Sequence, residues 1–536
     1  MKSLLSTFFF LSLYFNLFSF SALPPEKPTL VVNIVVDDLS NEEIKQHQHL
    51  LSTNGLLKLQ NEGTNFSNAT YPYSATDKAC DYASLSTGTT PRFHGIVSNQ
   101  WYLPKQDKLH SSIESKNAIL IGYPTLEKGY DAKNVVASTI GDELKISSLG
   151  KSKIYSISLD ETAAVLLGGH AADGVFWLDN RSGQWISSDY YMSWLPEWVN
   201  SFNDKNFSEF YLTQEWVLTR NPKDYRINSE EYDDATFPII LNEYKDEKAP
   251  YKILKSTPMG SMYVLDFATE LIKKENMGKD DDTDILFINF SSITDPGIKK
   301  SKYSIEKADY IIKLDKEIAK LTRLLDDEIG THNYLITLTS TQQKGLSVQE
   351  LEKNRMPTGK FNPERAKALL NSYLMALHGQ GNWVLSLNNQ QIYLNKELIE
   401  KSRLNFNSFQ ESVAAFMEEF EGIKWAIPAF KLKYADFNEG SFMAMQESYF
   451  PSRCGDVMLS YYPGWAEEKK NTDDSYSYSH NNTLVPMIMY GWKMERNSIK
   501  SKVSLTGLAP TLSTLLNIAI PNSSSKNLIY LDLENK

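Results

Sequence analysis

Cysteine is scarce: Cys80 and Cys454 are the only two in 536 residues. With no Cys-x-x-Cys pair, a thiolate zinc site has no support. The two thiols admit either a disulfide, should the chain reach an oxidising compartment, or two buried free cysteines. A basic excess is also lacking. There are 55 Lys and Arg against 66 Asp and Glu, a formal net charge of −11, with both signs interspersed. That argues against nucleic acid or an anionic membrane as the main partner. No P-loop, dinucleotide fingerprint, Gly-x-Ser-x-Gly elbow or EF-hand spacing is present. There is no internal repeat and no long low-complexity linker. Beyond the first twenty residues no apolar run reaches the roughly 18 residues that a spanning helix needs.

What is present begins with Met1 to Ser21, which read as a secretory signal. Lys2 is the charged start, Leu4 to Phe20 the apolar stretch, and Ser19-Phe20-Ser21 supplies small residues for cleavage. The expected product is exported, to a periplasm or outside the cell. Residues 22–536 are long enough for one large α/β domain, with insertions expected near 165–255 and 345–480.

Three near-continuous apolar runs read as strands buried on both faces: Leu30–Val36, Asp284–Phe290 and Tyr334–Thr339. The first ends in Asp37-Asp38, the second runs into Ser291-Ser292-Ile293-Thr294-Asp295, and the third into Ser340-Thr341-Gln342-Gln343. Carboxylates at the C-terminal end of a parallel strand sit where α/β folds place their chemistry. Helices are expected over Asn41–Gly55, Ala137–Ser147, Ser261–Lys274, Ile305–Ile329, Ser408–Phe420 and Leu508–Leu516. Phe176–Trp185, turning at Asp179-Asn180, reads as a hairpin insertion, and Tyr211–Tyr251 as irregular surface or lid. His47 and His49 read as the solvated face of a surface helix. Strands alternating with helices argue a mostly parallel central sheet covered by helices on both faces.

The stretch Ala75–Gly95 centres on a short helix of small residues, Ala79, Ala83, Ser84 and Ser86, followed by a Thr-Gly turn, Pro91 and His94-Gly95. Small side chains let a helix N-terminus come close to a sheet edge, and such an end suits an anion or a nucleophile.

Several segments, in order along the mature chain, resemble the alkaline phosphatase superfamily, in particular the PafA-type phosphatases related to type I phosphodiesterases and nucleotide pyrophosphatases. They are Val31–Asp37, Leu85–Ile96, Asn99–Tyr102, Gly169-His170, Ala308–Leu325 with Asp315, Ser452–Asp456, Val485-Pro486 through Gly491-Trp492, and Leu508–Leu512. The resemblance implies an alkaline phosphatase-like α/β fold. In the family, two zinc ions held by Asp and His accompany a Thr or Ser nucleophile at a helix N-terminus.

Carried over position by position, that site is largely replaced. The first metal-binding Asp falls on Asp37. The nucleophile falls on Lys78, with Tyr82 at the His position four residues on. The Asp and His after the second strand fall on Thr294 and Ile298, the Asp-His pair after the third on Thr341 and Gln342, and the last His on Leu484. The phosphate-contacting Asn is matched by Asn99, while the Lys and Arg of the phosphate clamp fall near Asp160 and Thr162. Asp295, Thr76 and His480 lie close to three of these positions, but recruiting them takes several independent slips of register. The expectation is a pseudoenzyme without zinc or any other metal, in which the Lys78 ammonium pairs with Asp37. Its role would be that of a scaffold or subunit in a cell-envelope protein assembly. Two alternatives are a metal-dependent phosphomonoesterase or phosphodiesterase with rearranged zinc ligands, and a phosphate- or glycan-binding module using the old cleft.

Overall fold

The computed structural model describes residues 25–75, 77–122, 127–226, 237–293, 298, 304–343, 345–468, 484–524 and 527–531. The elements around the site are β1 (Leu30–Val36), α1 (Asn41–His47), β2 (Thr64–Thr70), α2 (Lys78–Thr87), β3 (Ile154–Ser158), α3 (Glu161–Gly168), β4 (Gly174–Leu178), β5 (Trp185–Ser188), α4 (Pro258–Lys274), β6 (Asp284–Phe290), α5 (Ile305–Glu328), β7 (Tyr334–Ser340) and β8 (Leu484–Gly491).

β1 is the middle of the sheet because every residue along it is buried. Alternate side chains serve opposite faces. Leu30, Val32, Ile34 and Val36 enter one core cluster and Val31 and Val35 the other. The two neighbouring strands repeat the pattern, with Leu286, Ile288 and Phe290 of β6 and Tyr334, Ile336 and Leu338 of β7 on the first face, and Ile285 and Phe287 of β6 and Leu335 of β7 on the second. Five strands run parallel in the order β7-β1-β6-β3-β4. Antiparallel β8 follows β7, and β2 follows β8. Among the described residues this sheet has twelve strands. The expected mostly parallel sheet with helical cover is therefore the observed α/β architecture. Registers place Val36 beside both Phe290 and Ser340, so the chain leaves all three central strands at one level. Among the described residues no helix is long and apolar enough to cross a membrane.

Some local expectations need correction. The Phe176–Trp185 hairpin is no appendage: β4 pairs with β3, and β5 pairs with β4, so both belong to the main sheet. Trp185 stacks on Phe267 of α4 with ring centroids 4.2 Å apart, which ties this part of the sheet to its helical cover. The segment expected to be surface or lid also contributes Trp216 and Tyr225 to the core, both bonded to the buried Asp309. Residues 227–236 of that segment lie outside the described residues. The region 345–468 builds a separate antiparallel four-stranded sheet over its own core, which includes Trp383, Phe409 and Val457.

Helix over Asn41–Gly55 is interrupted. α1 stops at His47, and a second helix starts at Leu56. The reason lies in α5, whose fully buried Asp315 accepts hydrogen bonds from the amides of Ser52 and Leu56, each at 2.7 Å. A carboxylate that satisfies free N–H groups fixes a helix start there. Asp315→Ala is expected to cost about 2–4 kcal/mol by stranding two donors, the buried Leu56 amide and the half-buried Ser52 amide. Asp315→Asn should cost roughly half, and denaturant unfolding of both variants checks this. His47 also departs from expectation: it is fully buried, and only His49 is exposed.

Candidate functional site

The site forms where β1, β6 and β7 end and the N-terminus of α2 arrives. α2 is buried along almost its whole length, which its alanines and serines permit, and Ser86 Oγ donates to the carbonyl of Leu166 in α3 at 2.7 Å. That packing delivers Lys78, the first helical residue, to Asp37.

Lys78 Nζ lies 2.8 Å from Asp37 Oδ2 and 3.1 Å from Ser292 Oγ. The other carboxylate oxygen, Oδ1, accepts from Tyr82 Oη at 2.8 Å and from Asn289 Nδ2 at 2.9 Å. Asn289 is itself held, because its Nδ2 also donates to the carbonyl of Val35 and its Oδ1 accepts from Ser158 Oγ at 2.8 Å. Ser158 Oγ in turn accepts from the amide of Asp160. The chain Asp37–Asn289–Ser158–Asp160 thus crosses three strands without a break. Burial alone would lower the Lys78 pKa; the charge and hydrogen bond of Asp37 outweigh it and hold the ammonium above its ordinary value. Burial, reinforced by Asp37, raises the Tyr82 phenol well above the usual range, so Tyr82 is a neutral donor.

A second carboxylate sits one turn along α2. Asp81 accepts from Tyr73 Oη at 2.8 Å, from the Gln342 amide at 2.7 Å and from Gln342 Nε2 at 2.8 Å. Burial pushes its pKa up to about 7, against the lowering by Gln342 and Tyr73. Gln342 Nε2 also donates to the carbonyl of Ala75, while Thr341 Oγ1 accepts from the amide of Asp38. Both side chains therefore stitch loops together.

The remaining expected residues scatter. Asn99 is exposed, and its Oδ1 accepts from the Ala79 amide at 3.3 Å. Asp160 caps α3 by accepting from the amides of Thr162 and Ala163. Thr162 takes part through its backbone. Ile298 is buried, and Leu484 opens β8 half-exposed. Thr294, Asp295, Thr76 and His480 lie outside the described residues. Cys80 and Cys454 are both buried and free.

Four participants were not anticipated: Asn289, Ser292, Asp81 and Lys255. Lys255 Nζ approaches Glu161 at 3.2 Å and Asp160 at 3.8 Å, beside the clamp position. The one available signal was Asn289, an amide inside an otherwise apolar strand close to its C-terminal end.

A two-zinc centre needs several carboxylate and imidazole ligands with free lone pairs. Among the described residues no group of three or more His, Cys, Asp or Glu is placed to hold a metal ion. Asp37, the one carried-over ligand described, has both oxygens committed to an ammonium, a phenol and an amide. The described donor set does not fit the two zinc ions.

The fold defines an alkaline phosphatase-like α/β protein. Residues 31–484 match the family model of type I phosphodiesterases and nucleotide pyrophosphatases, and the chain belongs to that family. Within it the chain is of the PafA type. It is 27% identical over 512 residues to alkaline phosphatase PafA of Elizabethkingia meningoseptica, covering 93% of each chain. To alkaline phosphatase PhoV of Synechococcus elongatus it is 26% identical, covering 93% of this chain and 92% of the other. The crystal structure of wild-type PafA superposes with a TM-score of 0.86 at 25% identity, covering 94% of this chain and 98% of that one.

Proposed function

We propose that the chain is an exported, non-hydrolytic member of this family that serves as a scaffold or subunit of a cell-envelope protein assembly. One observation carries the proposal: an ammonium stands at the nucleophile position, 2.8 Å from the only described carboxylate carried over from the metal site. A lysine ammonium has no lone pair to attack phosphorus, and its charge satisfies the carboxylate a metal would need. Folds outlive their sites because function resides in residues grafted onto the scaffold.

Metal analysis of the purified protein, joined to p-nitrophenyl phosphate turnover, tests this. The expected result is far less than one zinc per chain and no turnover that a chelator abolishes. Stoichiometric zinc with chelator-sensitive hydrolysis would overturn it. Affinity purification from the native envelope tests the assembly role, and a partnerless protein there counts against it.

A second reading, a metal-dependent phosphomonoesterase or phosphodiesterase with rearranged ligands, is favoured by the full-length likeness to two alkaline phosphatases. The same two measurements decide between them. Phosphate binding in the old cleft is less well supported. Its cations are already paired, Lys78 with Asp37 and Lys255 with Glu161. No rise in melting temperature is expected with millimolar phosphate.

A further inference from the structure

His47 is a buried imidazole that the site does not use. Its ring is completely shielded, and neither nitrogen has a hydrogen-bond partner. Burial, with His49 adding, lowers its pKa to about 4. It ends α1, a seven-residue helix whose start lies four residues past Asp37. The helix begins with a capping box between Ser40 and Glu43. Glu43 is tied further, to Gln343 Nε2 at 2.9 Å and to Lys307 at 3.9 Å, and Lys307 Nζ donates to the Asp38 carbonyl at 2.6 Å. One end of α1 therefore anchors the turn that follows Asp37, and the other end carries a side chain that can be buried only while neutral.

The helix packed against α1 is α5, whose fully buried acids include Glu306 at its start and Asp315, which holds the amides of Ser52 and Leu56 just beyond α1. Lys307 of α5 serves Asp38 and Glu43, and Asp309 of α5 holds Trp216, Thr219 and Tyr225 beside Lys313. His49, past the helix end, meets the carbonyl of Asp224. β8 brings only Tyr490, which lies by Lys58. None of them bonds the His47 ring.

We infer that α1 is an acid-sensitive latch: proton uptake by His47 expels the helix end and loosens the Asp38–Glu43 turn that follows Asp37. The sign follows from linkage. A histidine held neutral stabilises the closed form fully above its unfolded pKa of about 6.5, and that stability is lost as pH falls towards 4. Between pH 7.5 and pH 5 the opening constant of this segment should rise about 30-fold.

Amide hydrogen exchange on the full chain, corrected for intrinsic pH effects, reads this directly. Wild type should lose about 30-fold more protection over residues 41–51 than over the centre of β1 on going from pH 7.5 to 5. His47→Phe and His47→Leu should remove that excess. A second buried histidine, His94, whose Nε2 lies 3.0 Å from Ser84 Oγ, serves as a control, since its effect belongs to residues 87–96. Uniform protection in the wild type overturns the inference whether or not the variants fold. So does an undiminished excess in either variant.

Discussion

Replacing Lys78 with methionine should destabilise the protein by about 3 kcal/mol, because it leaves a buried carboxylate without its cation. Asp37 is almost fully buried, while Lys78 keeps a fifth of its side chain exposed, which places the cost at the low end for a broken buried pair. Tyr82 and Asn289 would still donate to Oδ1, but Oδ2 would lose its ammonium. Changing Asp37 to Asn in the same background should recover most of the loss, since the offending charge is gone. That recovery distinguishes an ion pair from mere packing of the lysine stem. The pH profile adds a second check. The Lys78 pKa is raised, so its contribution is complete below the ordinary lysine value and is lost only as pH climbs past the folded value. The difference between wild type and variant in denaturant unfolding should therefore be flat from pH 6 to 9. Lys78→Thr puts a hydroxyl at the position matched to the family's nucleophile but adds no metal donors, and no hydrolysis is expected from it.

The parallel core was legible because β1, β6 and β7 carry apolar residues on both faces of the pleat, with few polar interruptions such as Asn33 and Asn289, and that pattern marks a strand covered on both sides. The turn at Asp179-Asn180 was legible too, but not the destination of its strands. Apolar alternation shows that a hairpin is half-buried and leaves open which sheet buries it. At the site, Asp37 and Lys78 could be placed because each follows a recognisable local signal, a strand end and a helix start. Their supporting network could not. Asn289 and Ser158 are 131 residues apart in the chain and meet only because β3 and β6 are neighbours. Asp81 reads as an ordinary helix-surface acid until Tyr73 and Gln342 close over it. His47 misleads for a related reason: its polar flanks suggest a solvated face, whereas α1 packs against α5 and β8 and the imidazole is buried.

That network makes the remaining prediction the sharper one. Asn289→Asp changes one atom of the side chain from donor to acceptor, yet the position faces two acceptors, Asp37 Oδ1 at 2.9 Å and the Val35 carbonyl at 3.1 Å. Two carboxylates at that separation cannot both stay ionised in a buried site, so one must hold a proton. The new acid would have a folded pKa raised above its unfolded value of about 3.9. Its penalty is then small near pH 4 and grows by about 1.4 kcal/mol per pH unit until the folded pKa is reached. A rise of about three units, ordinary for a buried like-charge pair, makes the variant weaker than wild type by about 4 kcal/mol at pH 7.5. Asn289→Leu supplies the contrast: it loses the same donor without adding charge, so its deficit should not vary with pH. The comparison also interrogates Lys78. If the ammonium were free to move between two carboxylates, the Asp variant would show almost no pH dependence. A steep dependence means that Lys78 is committed to Asp37 Oδ2 and Ser292, with no charge to spare for a second anion, and a phosphoryl group entering the cleft would meet the same refusal.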